Sequence, residues 1–450
     1  MSSYIEEFES KVKPKDYYDR LYDELVRLNP RLNAFNALIK PDKNGIPLSV
    51  KDNICVKGIE ATASSKILKG YIPPFNATVV ERVLKTKRFS IIGKTNMDEF
   101  GFGSFGINCE KPAKNPLDEE RVAGGSSSGA AIATALLKYH VAIAESTGGS
   151  ISAPAAFCGV VGFTPTYSVI SRYGLIDYAN SLDKIGFMAR SADDIRVMLD
   201  ITKGKDNRDS TSTDSKIVGL HHKKLVIIDE LIDKVDEKIR SQFFEFVEKL
   251  KNLGYTVKNI NLNEIDLSIP AYYLIAMAEA STNLAKFTGF KYGFKLNDFS
   301  KNYNEFFAEA REEFGTEAKR RVILGTFIRS ASVKDKYYSK ALIIRKELID
   351  KLSKVLKDAF LISPTMPIMP PKISEANSMS PVQNYATDIL TIPPNLCGLP
   401  HISFPYSYSN GLPLSAQIVG SQFNDYGVIS FVSEWEKNFE YKFKYNIGEI

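Results

Sequence analysis

The sequence predicts an α/β protein, and three observations carry that assignment. First, "GIPLSVKDNI" (45–54), "ATVVERVLKTK" (77–87) and "RFSIIGKTN" (88–96) follow a strand–helix–strand rhythm near the N-terminus. Second, apolar strand-like runs return near the C-terminus in "AFLISPT" (359–365), "HISFPYS" (401–407) and "LSAQIVG" (414–420). Third, 450 residues, of which 44% are hydrophobic and 25% charged, are enough for a large buried core.

Taken in order, residues 4–40 read as helical, from apolar positions at helical spacing in "YYDRLYDELVRL". The strand 45–54 is short and apolar, and its end carries Lys51 and Asp52. An amphipathic helix (77–87) leads to the strand 88–96. The stretch Gly101 to Gly129 is rich in loop-forming residues, and "AAIATALLK" (130–138) is small and apolar enough for a buried helix. "YHVAIAEST" (139–147) predicts a central strand. "TGGSISAPAAFCGVVG" (147–162) is rich in Gly, Ala and Ser but almost free of charge, which suits a tightly turning core segment better than a polar linker. "SADD" (191–194) opens a helix with a capping-box pattern. "KLVIID" (224–229) predicts a strand and 234–252 a charged helix; 268–350 read as mostly helical, and 424–439 as the final helix. With strands at both ends and no clear linker, one domain spanning 1–450 is expected, with a helical insert at about 268–350.

Composition excludes several classes. The net charge of +5 is too small for a nucleic-acid footprint, and "KVKPK", "HHKK" and "AKRR" read as solvated surface. Cys55, Cys109, Cys158 and Cys397 lie far apart with no C-x-x-C spacing, so neither a metal site nor a disulfide framework is expected. The charged N-terminus predicts no signal peptide, and no apolar stretch reaches about 18 residues. A reduced cytoplasmic setting without membrane contact is the expectation.

"AGGSSSGAA" (123–131) places three serines between glycines, which raises the question of a nucleophile. "GSSSG" matches the G-x-S-x-G elbow with Ser127 at its centre, but the charged "PLDEERVAG" precedes it where an elbow needs an apolar strand. No Gly-Lys-Ser/Thr follows, which argues against a phosphate loop. The four histidines, His140, His221, His222 and His401, read as packed or solvated side chains and not as bases.

"LSVKDN", "GGSSSGAA" and "STGGSISAPA" together resemble the amidase signature family, with Lys51 to Ser126 separated by 75 residues and Ser126 to Ser150 by 24. The resemblance implies a large central mixed β-sheet covered by helices on both faces, with the signature core at about 45–205. It implies Ser150 as nucleophile, Ser126 as a bridging acid/base on a cis peptide after Gly125, and Lys51 as the terminal base. It also implies an oxyanion hole from the backbone N–H groups of Thr147, Gly148, Gly149 and Ser150. A lysine base must be neutral, and lowering its pKa from about 10.4 to roughly 7–8 costs about 4 kcal/mol. A charge-poor pocket around "GVVGF" and "APAAF" is the expected means. Many family members carry an aspartate just before "TGGS" and an arginine two residues after its serine; Ser146 and Ser152 stand there in this chain.

"DEFGFGS" (98–104), "NPLDEERVAGGSSSG" (115–129), "FCGVVGFTPTYSVISRYGL" (157–175) and "SLDKIG" (181–186) narrow the resemblance, as do "YYLIAMAEASTNLAKF" (272–287), "KRRVILGTF" (319–327) and "NYATDILTIPPNLCGLP" (384–400). They are similar to the A-subunit branch, the glutaminases of aspartyl/glutamyl-tRNA amidotransferases. That branch implies glutamine as substrate, with Arg321 on its α-carboxylate, Asp388 on its α-ammonium and Tyr272 as a hydrogen-bonding wall. It implies subunits B and C as partners in a hetero-oligomer, mischarged tRNA held mainly by the partner, and ATP with Mg²⁺ at the partner and no cofactor in this chain. Two other readings follow from the same residues: a stand-alone amidase of small amides, and an inert scaffold subunit.

Overall fold

The computed structural model describes residues 3–41, 45–295 and 300–450. Its frame is one mixed sheet whose eleven strands, among the described residues, come from both ends of the chain. They are β1 (Phe35–Leu38), β2 (Ile46–Lys51), β3 (Phe89–Thr95), β4 (Val141–Ser146), β5 (Val161–Thr164), β6 (Lys184–Ala189), β7 (Lys224–Ile228), β8 (Thr256–Ile260), β9 (Phe360–Pro364), β10 (His401–Ser409) and β11 (Leu412–Val419). Their order across the sheet is β1-β3-β2-β4-β6-β5-β10-β11-β9-β7-β8. Strand β2 runs parallel to β3 and β4, whereas β4–β6, β6–β5, β5–β10 and β10–β11 are antiparallel.

Strands β2, β4, β5, β6, β9 and β11 are buried at every position. Their sequences accordingly lack polar alternation, because helices cover both faces of the sheet. The edge strand β8 (TVKNI) is half exposed and polar, which blunts an open row of backbone groups. The helix Ser128–Leu136 is buried at all nine positions and packs on β4 and β2, which its small side chains allow. "TGGSISAPAAFCGVVG" forms a turn, the short buried helix Ser152–Cys158 and the start of β5.

Several expectations are refined. The helical stretch 4–40 divides into helices Tyr4–Ser10 and Tyr17–Leu32, followed by β1, an edge strand of four residues. Strands β5, β6 and β8 lie where no strand is expected; β6 begins with a lysine, and β8 has no apolar run. At "SADD" Ser191 caps its helix by accepting from the Asp194 N–H, but the capping box is not closed. The Asp194 carboxylate instead accepts from Ser191 Oγ, Ser3 Oγ and the Ile5 N–H, tying down the N-terminal helix. The predicted insert 268–350 contains helices Ser268–Asn283, Tyr303–Glu312, Thr316–Arg329 and the start of Lys334–Val355; its residues 296–299 lie outside the described residues. Helix Ser268–Asn283 packs against Thr316–Arg329 and Lys334–Val355; Tyr272 reaches Gly148 and Arg321 reaches Tyr178.

Candidate active site

The parallel register of β2 and β4 sets Lys51 at the end of β2, next to the residues that close β4. The Gly125–Ser126 peptide is cis, as expected. Ser126 is held by its carbonyl, which accepts from the Asp98 N–H at 3.2 Å, while the Gly125 N–H donates to Ser104 O at 2.8 Å. The Ser127 N–H donates to Ser150 O at 3.1 Å, so the two serine-bearing loops are bonded to each other. Lys51 Nζ lies 2.8 Å from Ser126 Oγ. Both residues are fully buried, whereas Ser150 retains 7% exposure and lines a small cavity.

Lys51 Nζ has two further partners, the carbonyl of Glu145 at 2.9 Å and its carboxylate Oε2 at 2.9 Å. Three contacts suit an ammonium that donates three hydrogens. They equally suit an amine that donates two and accepts the Ser126 hydroxyl on its lone pair. The pocket is therefore not charge-poor, and the expectation of an apolar cage is corrected. Glu145 touches Lys51, and Asp98 and Asp183 act on it electrostatically. Burial still moves the Lys51 pKa below the ordinary lysine value, against the pull of the Glu145 carboxylate.

The same cavity is lined by Gly148, Gly149, Tyr272, Tyr273, Arg321 and Asp388. A Cβ on Gly148 would lie 2.5 Å from the Tyr272 ring, and one on Gly149 would lie 2.3 Å from Thr391 Oγ1; only glycine fits so close to both. Arg321 is buried, with Nε donating to Glu317 Oε1 at 2.8 Å and Nη1 to the Tyr178 hydroxyl. Its guanidinium carbon lies 4.9 Å from the centre of the Phe102 ring and 5.4 Å from that of Tyr273. Asp388 Oδ2 accepts from Ser104 Oγ at 2.7 Å and from the Tyr273 hydroxyl at 2.8 Å. Burial pushes its pKa up to about 6, opposed by those two hydrogen bonds and by Arg321. Tyr272 meets Tyr273 edge-on at 4.9 Å and forms the wall beside Gly148. The cavity thus joins a serine hydroxyl to one cationic and one anionic side chain.

All the residues singled out from the sequence, Lys51, Ser126, Ser150, Thr147, Gly148, Gly149, Tyr272, Arg321 and Asp388, converge on this region. Sequence reasoning missed Glu145, Asp183, Ser104, Tyr273, Tyr178, Glu317 and Asp98. Four of them lie in segments that carry the resemblance: Asp98 and Ser104 in "DEFGFGS", Asp183 in "SLDKIG" and Tyr273 in "YYLIAMAEASTNLAKF". Ser127 is the N-cap residue of its helix, with Oγ donating to Glu145 O, and Ser128 Oγ bonds Asn96 O; neither touches the lysine. Ser146 Oγ donates to Asn395, while Ser152 Oγ is buried with no hydrogen-bond partner among the described residues. His140 bonds Thr134 and Ser49, and His401 bonds Asn395 and Leu399 O; burial depresses the pKa of both, that of His140 to about 3.

Known proteins are similar to this chain in sequence and fold. The family model described as Amidase matches residues 18–429. The A-subunit of glutamyl-tRNA(Gln) amidotransferase from Sulfolobus acidocaldarius is 39% identical, covering 95% of each chain. Its counterpart from Methanosarcina mazei, of the same name, is 42% identical over 89% of this chain and 86% of its own. The crystal structure of the glutamyl-tRNA(Gln) amidotransferase A-subunit from Thermotoga maritima superposes with a TM-score of 0.83 at 34% identity, covering 99% of this chain and 97% of that one. The crystal structure of an amidase, at 24% identity and a TM-score of 0.80, shares the fold; it covers 97% of this chain and 99% of its own. On these matches the chain is a member of the amidase family.

Proposed function

We propose that this chain is the glutaminase subunit of a tRNA-dependent amidotransferase, releasing ammonia from glutamine for a partner that converts Glu-tRNA(Gln), Asp-tRNA(Asn) or both. The observation that carries the reading is the placing of Arg321 and Asp388 in one small cavity with Ser150, which complements a zwitterionic amide. A hydrophobic amide needs neither charge, which disfavours a stand-alone amidase of such substrates. The 2.8 Å contact between Lys51 and Ser126 disfavours an inert scaffold.

In this mechanism Arg321 receives the α-carboxylate, Asp388 receives the α-ammonium and Tyr272 bounds the side-chain path. Ser150 Oγ attacks the carboxamide carbon as its proton passes to Ser126 Oγ and the Ser126 proton passes to Lys51 Nζ. The oxyanion accepts hydrogen bonds from backbone N–H groups of Thr147–Ser150. The carbon–nitrogen bond then breaks, and the proton returns through Ser126 to the departing nitrogen, giving ammonia and a glutamyl ester on Ser150. Water, deprotonated along the same relay, hydrolyses the ester to glutamate. The carboxylate of the charged amino acid is activated with ATP and Mg²⁺ on a partner subunit. Partners of the B and C type, tRNA held mainly by the partner, and a cytoplasmic setting complete the proposal. Among the described residues no helix is long and apolar enough to cross a membrane.

The test is Ser150→Ala in the chain assembled with its partner subunits. Glutamine hydrolysis should disappear, while amidation of mischarged tRNA from free ammonia with ATP should persist. Full glutaminase activity in this variant would refute the mechanism, and a wild-type complex that uses ammonia but never glutamine would establish the scaffold reading.

A further inference from the structure

The side chains behind Lys51 form a line that the reaction above does not use. Glu145 Oε2 faces Lys51 Nζ at 2.9 Å and also accepts from Asn53 Nδ2 at 3.2 Å. Its other oxygen, Oε1, lies 2.7 Å from Thr147 Oγ1, which in turn lies 2.9 Å from Asp183 Oδ1. All four residues are buried, none more than 1% exposed. A hydroxyl carries one hydrogen, so Thr147 donates to only one of the two carboxyl oxygens beside it. For both contacts to be hydrogen bonds, the other carboxyl donates to Thr147 and so carries a proton. That pattern places one proton on two carboxyl groups in either of two positions, related by reversing the direction of the hydroxyl.

Each placement has its own support. With the proton on Asp183, a carboxylate at Glu145 faces Lys51, and the pair is neutral overall when Lys51 is an ammonium. With the proton on Glu145 Oε1, the negative charge resides on Asp183. There the N–H groups of Tyr178 and Ala179 reach Oδ2 at 2.9 Å each, and Ala179 also reaches Oδ1 at 3.0 Å. Glu145 Oε2 then still accepts an N–H from a neutral Lys51, whose lone pair is left for the Ser126 hydroxyl.

We propose that Glu145, Thr147 and Asp183 share this single proton and that its place answers to the charge on Lys51: Asp183 holds it while Lys51 is an ammonium, and Glu145 holds it while Lys51 is an amine. The inference rests on Lys51 being the base of the proposed reaction. In that reaction, as Lys51 takes the proton from Ser126, the proton on Glu145 Oε1 passes to Thr147 Oγ1 and the Thr147 proton passes to Asp183 Oδ1. The counter-charge thereby arrives beside the new ammonium, and it withdraws when Lys51 gives its proton to the leaving nitrogen. No proton is gained or lost by the line itself. Glu145 and Asp183 act through Lys51 and are positioning residues. The other charged groups that act on the line are Asp98 toward Lys51, and Arg172 and Asp177 toward Asp183. Burial and Glu145 both push Asp183 well above the carboxylate range, in keeping with a proton that rests there.

The test compares pH profiles of kcat for glutamine across variants of the full chain in its complex, with the titration of the Lys51 side chain read in parallel by NMR. Thr147→Val keeps the shape of the side chain but breaks the line, fixing the carboxylate at Glu145. The rising limb and the Lys51 titration should then move to higher pH by about one unit, a roughly tenfold loss of kcat on the acid side. Glu145→Gln should move both to lower pH, because no carboxylate can face the ammonium. Thr147→Ser, which restores the hydroxyl, should return the limb to the wild-type position. Asp183→Asn, an independent block on the same line, should move it upward as Thr147→Val does. An unchanged limb in both Thr147→Val and Asp183→Asn, or movement of these in the same direction as Glu145→Gln, overturns the proposal. Because the NMR titration needs no substrate, a wild-type chain that fails to hydrolyse glutamine counts against the functional reading and leaves this test standing.

Discussion

Arg321→Lys tests the substrate clamp most directly. Arg321 already commits Nε to Glu317 and Nη1 to Tyr178, and among the described residues Nη2 has no protein partner. A lysine has one ammonium on a flexible stem, so it cannot satisfy Glu317 and reach an incoming carboxylate together. One charge-assisted hydrogen bond is worth about 1.5–3 kcal/mol. At about 1.4 kcal/mol per factor of ten, the loss in kcat/KM for glutamine should be roughly ten- to a hundredfold, carried mainly by KM. The assay is ammonia release from glutamine and from 4-aminobutanamide, which is glutamine without its carboxylate. The variant should lose activity on glutamine and keep its activity on the analogue within about twofold of wild type, since only glutamine offers the carboxylate that Arg321 is proposed to bind. Equal loss on both substrates would mean that Arg321 serves the fold and not the ligand, and no loss on either would remove it from the site altogether. Thermal unfolding of the variant guards the comparison, because Glu317 loses part of its pairing.

Two further outcomes follow from the same cavity. Asp388, raised to about 6, is neutral below that pH and cannot pair with an ammonium; KM for glutamine should climb as pH falls through 6, whereas Asp388→Asn should show a high KM with no such dependence. Lys51→Met should reduce kcat by about a hundredfold or more and lower Tm by several °C, because a buried carboxylate is left without its cation. The double variant Lys51→Met/Glu145→Gln should regain much of the Tm but none of the activity, as a calorimetric melt and an ammonia assay would read.

What the sequence disclosed and what it withheld have separate physical causes. Strands β2, β3, β4, β9, β10 and β11 are legible because parallel or doubly covered strands are continuous apolar runs, and the helix Ser128–Leu136 because nothing in it is polar enough to face water. Strand β5 is four residues long and β8 is an exposed edge, so neither carries a periodic signal. The serines and the lysine are legible as local motifs in register. Glu145 is not: in "VAIAEST" it reads as an ordinary strand residue, and its contact with Lys51 exists only through the pairing of β2 with β4 across 94 residues. Glycines 148 and 149 are visible in the sequence, yet the reason for them is the approach of Tyr272 and Thr391, which no local pattern contains. Tyr273 stands beside the predicted Tyr272, and only the turn of its helix decides which hydroxyl reaches Asp388.

The pairing of β5 with β10 has a consequence for how the molecule is made. His401, Ile402 and Ser403 lie opposite Thr164, Phe163 and Gly162, so the sheet closes only when strands more than 200 residues apart in the chain meet. During synthesis the segment carrying Lys51, Ser126 and Ser150 leaves the ribosome long before Asp388 and β10. Over that interval the nascent chain holds an apolar, buried-type strand at an open edge, the condition under which neighbouring chains pair wrongly. So distant a closure also makes for slow folding. Ser150 is thus present in the growing chain well before Arg321 and Asp388, and an incomplete chain has the serine loops without the charged pair that shares their cavity.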